Sequence, residues 1–226
     1  MNAFDNSQYK QMRLTPSLSG ENLLSRRKYN MLMCGTVLWG IIVDVIICAA
    51  MQDMIYSMYF LPVVIVYFAV TIISTIIIHK SDSAVISFAA FTALAAAMGM
   101  LLAAIVTQYT TGSVLQAFVH TGIVCLLMSL MASSFPDFFL KLGRGLFFAL
   151  LAALAIEIIF GLILGGGIYL TSIAMVFIFS GYFGYDLVRA QQYIPTADNA
   201  VDSAADLYVD IVNLFIRLLY LFGNRN

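Results

Sequence analysis

The chain has 226 residues, of which 62% are hydrophobic and 10% charged, and its formal net charge is −1. Soluble domains carry about 25% charged residues, so the composition excludes an ordinary soluble protein and predicts a polytopic membrane protein. The near-neutral charge leaves no electrostatic footprint for a nucleic acid.

Residues 1–30 are polar and basic and read as a cytoplasmic N-terminal tail, without the apolar run and cleavage site of a signal peptide. Residues 31–226 read as the transmembrane domain. A bilayer core takes roughly 20 apolar residues of helix, and backbone groups in lipid must be satisfied within the segment. Stretches 31–50, 56–78, 84–106, 113–132, 146–164 and 168–188 meet that length. A seventh, 205–222, is shorter and more polar, which leaves open whether it spans or re-enters. The expected fold is an all-α integral membrane protein with seven transmembrane helices. Pro62 stands near the start of the second stretch, and Pro136 and Pro195 fall in connections. Cys34, Cys48 and Cys125 lie in apolar stretches and read as small buried side chains, not as disulfides or a metal cluster.

Basic residues set the orientation. Lys10, Arg13, Arg26, Arg27, Lys28, Lys80, Lys141, Arg144 and Arg189 fall on one side, whereas loops 51–55, 107–112 and 165–167 carry none. The N-terminus is therefore expected in the cytoplasm. Small residues crowd the third helix (Ala93, Ala95, Ala96, Ala97, Gly99) and the fifth (Ala149, Ala152, Ala153, Ala155), which predicts close helix packing there.

The seventh helix carries Asp206, Asp210, Asn213 and Arg217 at spacings of four, three and four, which is one narrow polar stripe. Such a helix belongs inside a bundle, lining a cavity. The competing reading lays it flat at the interface, but cations dominate such faces, and here Asp202, Asp206 and Asp210 outnumber Arg217. Asp186 ends the sixth helix, with Arg189 three residues on as an ordinary interfacial partner. An ionised carboxylate in hydrocarbon costs roughly 2.5 to 3.5 kcal/mol even on the mildest scale. Asp186 and Asp210, on successive helices able to pack together, thus suggest a proton-sensitive or cation-handling site. Asp44 in the first helix and Glu157 in the fifth could line the same cavity or be hydrogen-bonded between helices. His120 and Gln116 share a face of the fourth helix and read as packing residues. With His79 alone at a helix end, a zinc site is not expected. No Ser–His–Asp arrangement or phosphate loop points to an enzyme.

The last third of the chain resembles the Bax inhibitor-1 family. Tyr185-Asp186-Leu187 is similar to its "YD" on helix six, and Leu207-Tyr208-Val209-Asp210-Ile211-Val212-Asn213-Leu214-Phe215-Ile216 to its "LYLDIINLF" on helix seven. Leu115-Gln116-Ala117-Phe118, Thr121 and Asp137 also resemble family positions. The likeness covers helices two to seven and is strongest over 181–223. It implies six helices surrounding a central seventh. It further implies a pH-sensitive calcium leak of a bacterial plasma membrane, with Asp186 and Asp210 as proton sensor and transient calcium contacts. A basic residue after helix two would latch the helix-six aspartate. Lys80 or His79 stands there where the family has Arg, and neither offers the bidentate fork of a guanidinium. The family's basic residue near the end of helix seven is displaced to Arg217, with Tyr220 in its usual place; Arg217 then neutralises Asp210 or faces the pore mouth. Asp206, Asn213, Arg217, Asp44 and Glu157 are the pore-lining or ion-contacting candidates.

In the resulting mechanism the two aspartates share one proton, and losing it opens a cation path. No cofactor is expected; calcium is the transported ion, and the partners are lipid, Ca²⁺ and H⁺, for a monomer. Three alternatives stand beside it. A proton-coupled transporter of a small solute would use the same carboxylates as a relay. An intramembrane aspartyl protease also needs two aspartates, but the glycine-containing motif expected before Asp210 and a later Pro-Ala-Leu segment are missing. A non-transporting membrane regulator of the cell-death or stress type leaves no clear trace in the sequence.

Overall fold

The computed structural model describes residues 23–55, 60–164 and 168–225. Seven helices follow one another: α1 Arg26–Ile55, α2 Phe60–Lys80, α3 Ala84–Val106, α4 Thr111–Ser134, α5 Pro136–Leu164, α6 Ile168–Gln192 and α7 Ala197–Phe222. Among the described residues there is no strand, only an isolated bridge between Tyr109 and Arg225. Helices α1, α3, α4, α5 and α6 are each long and apolar enough to cross a membrane, and α2 is apolar over the shorter run Val64–Lys80. This is the architecture of an integral membrane protein. The expected tail up to residue 22 and the loop 165–167 lie outside the described residues.

Several boundaries differ from the sequence expectation: the expected loop 51–55 is the last part of α1, α6 runs past Asp186 to Gln192, and three helix starts shift for a local reason. Helix α1 begins at Arg26, inside the stretch expected to be tail, because hydropathy marks the lipid-facing run and not the polar turn before it. Helix α5 begins at Pro136 instead of 146. Proline suits a first helical turn, where its missing N–H is not needed, so Lys141 and Arg144 ride on the helix and not in a connection. Helix α7 is not short. It starts at Ala197, capped by Thr196, whose hydroxyl accepts from the Asn199 N–H at 3.1 Å. Its 26 residues span about 39 Å at 1.5 Å per residue. The acidic side chains Asp198 and Asp202 hid those first turns from a hydropathy reading.

Helix α7 packs against α6, α1, α4 and α3. Its side chains are buried nearly all round, among them Ala200, Ala204, Tyr208, Leu214 and Leu219. Helices α4 and α5 instead expose most of their apolar side chains, including Leu115, Phe118, Leu126, Phe148 and Ile158. That is the distribution a lipid solvent allows, since no hydrophobic penalty attaches to leaving Leu or Phe outward there. The small residues divide the same way. Ala95, Ala97 and Gly99 of α3 are buried, whereas Ala152 and Ala155 of α5 face outward and bring no helix closer.

Both ends of the bundle are tied. Tyr29 of α1 is fully buried, and its hydroxyl lies 3.1 Å from the Ala190 carbonyl, 3.3 Å from the Asn199 carbonyl and 2.9 Å from Ser203 Oγ. This joins α1 to the end of α6 and the start of α7. At the other end Thr110 N donates to the Asn224 carbonyl (3.0 Å) and Asn224 N to Ser113 Oγ (2.8 Å), pinning the chain's last residues to the α3–α4 turn.

Candidate functional site

The site is built where the C-terminal half of α6 meets the middle of α7. Close packing of α5 on α6 sets the position of Asp186. The Phe139 ring lies where a Cβ on Gly184 would have to go, and the Tyr185 ring does the same to Gly143. These two glycine contacts lock the Gly184-Tyr185-Asp186 segment against the first turns of α5. On α7, Leu207, Tyr208 and Val212 bury the faces flanking Asp210.

Asp186 and Asp210 come together as near neighbours, each carboxyl acting on the charge of the other. Asp210 is 6% exposed, and among the described residues no N–H or O–H reaches its Oδ2. A buried carboxylate oxygen without a donor is costly in its ionised form. Asp186 also has the interfacial partner expected from spacing, Arg189 Nη1 at 3.3 Å from Oδ1. Asp186 therefore neighbours both Asp210 and Arg189. Arg189 is steadied by two rings, its guanidinium lying 5.9 Å from the Tyr185 centroid and 5.5 Å from that of Tyr193.

The other residues of the stripe find separate partners. Asp206 Oδ1 lies 3.2 Å from His79 Nε2 of α2. The basic contact from α2 thus falls on the α7 residue one turn before Asp210, and not on Asp186 as the resemblance implies. The Asn213 amide donates to the Val209 carbonyl at 2.8 Å within the same helix. Arg217 does not neutralise Asp210; it makes a bidentate pair with Glu157 of α5, Nη2 to Oε2 at 2.9 Å. Asp44 stands apart from the pair, between α1 and α7. Both its oxygens accept from the Tyr208 hydroxyl, at 2.7 and 2.9 Å. His120 faces its own Gln116 carbonyl at 2.6 Å and stacks on Phe222, as a packing residue would.

Among the described residues no three His, Cys, Asp or Glu side chains converge as a metal-holding set. Sequence reasoning missed three contributors. Tyr208 was read only as part of a motif, although a tyrosine inside a polar-striped helix is a ready donor for a carboxylate elsewhere. Asp198 accepts from Ser87 Oγ of α3 at 2.7 Å, and a spacing of four through Asp198, Asp202, Asp206 and Asp210 was available to find it. The spacing shows Arg189 only as a local partner, and its two ring contacts come from the packing.

The sequence signature described as "Inhibitor of apoptosis-promoting Bax1" matches residues 21–226. The chain belongs to the Bax inhibitor-1 family. The match takes in all seven helices, so the family's extent and the bundle coincide. Among its relatives is an uncharacterised membrane protein of Streptococcus pyogenes, 28% identical over 174 residues, which are 71% of this chain and 76% of that protein. The inner membrane protein YbhL of Escherichia coli is 27% identical over 189 residues, 78% of this chain and 80% of YbhL. An uncharacterised protein of Helicobacter pylori is 32% identical over 125 residues, about half of each chain (54% and 53%).

Proposed function

We propose that this Bax inhibitor-1 protein is a pH-sensitive calcium leak of a bacterial plasma membrane, gated by the Asp186–Asp210 pair. The observation that carries the reading is that Asp186 of α6 and the buried Asp210 of α7 are near neighbours. Two carboxylates so placed cannot both ionise cheaply. With one proton shared, the pair ties α6 to α7 and the path is closed. When the proton leaves, two anions face each other, the helices separate, and a bare anionic site is offered to a hard, oxygen-seeking cation. A leak needs an ion held weakly enough to leave, which a pair of carboxylates provides better than a closed cage. The sign follows: flux is low in acid and rises with pH.

In this reading all seven helices cross the bilayer, six of them surrounding α7, and the end bearing Arg26, Lys80, Lys141, Arg144 and Arg189 faces the cytoplasm. The protein acts as a monomer, without a cofactor and not as an enzyme. The test is calcium uptake into liposomes carrying the purified chain, measured over a pH series for wild type, D186N and D210N. Wild-type flux should rise with pH, and each variant should flatten that dependence. Three superimposable profiles would refute the gate.

A further inference from the structure

His79 ends α2, and both of its ring nitrogens face oxygen. Nδ1 lies 2.9 Å from the backbone carbonyl oxygen of Thr75, and Nε2 lies 3.2 Å from Asp206 Oδ1 on α7. A carbonyl oxygen only accepts, so Nδ1 carries a hydrogen. A neutral imidazole protonated at Nδ1 presents a lone pair at Nε2. Facing an ionised carboxylate, that arrangement is repulsive. The contact is attractive only if one more proton lies between the two groups, on Nε2 as an imidazolium or on Asp206 as a carboxylic acid.

We propose that His79 and Asp206 form a second proton-binding site, separate from the Asp186–Asp210 pair, whose proton ties α2 to α7. The two sites differ in access. The His79 and Asp206 side chains are 35% and 21% exposed, so this proton is the more accessible of the two, whereas Asp210 is 6% exposed. The sites are close enough to sense each other. Charged groups acting on Asp206 include Asp186 and Arg189 of α6 and Asp210 of α7. Lys80 adjoins His79 on α2, and Asp202 stands one turn before Asp206 on α7. When the proton leaves to water, the Nε2 lone pair and the Asp206 carboxylate face each other and the tie is lost. Lysine or arginine there would keep its charge over the physiological range and hold permanently; histidine makes the tie conditional. Its effect on flux rests on the leak reading above, and there both sites release as pH rises, so closure is steeper than one proton would make it.

The chain has two histidines, His79 and His120, so the H120Q variant isolates the imidazole of interest. Its ¹⁵N-histidine spectrum is recorded in nanodiscs over a pH series, with and without D206N. The expected result is a doubly protonated ring in acid that loses the Nε2 proton and keeps the one on Nδ1. In D206N that loss should move to lower pH by about one unit or more. Identical titrations with and without D206N, or a ring protonated at Nε2 and bare at Nδ1, would overturn the site. In the flux assay H79Q should make the pH profile shallower while D210N still flattens it, and an unaltered slope in H79Q counts against the second site's part in closure. Absence of calcium flux in every variant would remove the leak reading and leave the spectra to decide the proton site.

Discussion

Arg217 of α7 grips Glu157 of α5 through both terminal guanidinium nitrogens, across a separation of 60 residues. Helix α5 packs mainly on α6 and turns most of its surface outward. The pair therefore fastens an outer helix to the buried one by a directed bond, where lipid supplies no hydrophobic force to do so. Fork-on-fork geometry gives this contact both strength and a fixed direction.

Breaking that pair from one side should be worse than removing it altogether. Losing one partner of a buried ion pair costs roughly 3–5 kcal/mol, and the loss here should be smaller because Glu157 keeps 21% exposure. R217M should lower the thermal unfolding midpoint in detergent clearly, and adding E157Q should restore most of it. Equal, additive losses in the double-mutant cycle would mean the two side chains do not stabilise each other.

Tyr208 and Asp44 make a second cross-link, from α7 to α1. Gly40 allows it, because the Phe91 and Tyr208 rings occupy the space a Cβ at position 40 would need. Y208F removes the donor but leaves the carboxylate buried at 6% exposure. Leaving such a group unsatisfied costs about 1–3 kcal/mol, whereas replacing both partners by apolar side chains of similar shape is nearly neutral. Y208F should therefore destabilise more than D44L/Y208F in the same unfolding assay. The reverse order would show that Asp44 is satisfied by something other than Tyr208.

What could be read without coordinates follows from what lipid forbids. Asp186 and Asp210 stood out because a carboxylate in an apolar helix has few ways to be stable, and successive helices readily meet. The number of helices and the bounds of α3 followed from hydrophobic length alone. The partners of the remaining polar residues did not. Asp44 and Tyr208 are 164 positions apart, and nothing local links them. Arg217 has carboxylates on two sides of its helix in principle, and only the packing of α5 chooses Glu157. His79 and Lys80 were equal candidates for the α2 contact; the turn of the helix and the register of α7 brought His79 to Asp206. The early start of α7 was hidden for a related reason, since its first turns are acidic and are buried by neighbours that a hydropathy scale does not see.

The approach of α5 to α6 offers a test of how Asp186 is held. Phe139 is 1% exposed, and its ring covers the backbone at Gly184, two residues before Asp186. G184A would drive a methyl group into that ring. Overpacking of this kind typically costs about 1–3 kcal/mol, and the ring has little room to move because Val188, Ala132 and Phe138 surround it. If the contact positions Asp186 as argued, G184A should lower stability and also displace the pH dependence of flux. Trimming the ring in G184A/F139L should recover both together. Recovery of stability with the pH profile still displaced would separate helix packing from the placement of the carboxylate, and would point to Tyr185 on Gly143 as the contact that holds Asp186 against Asp210.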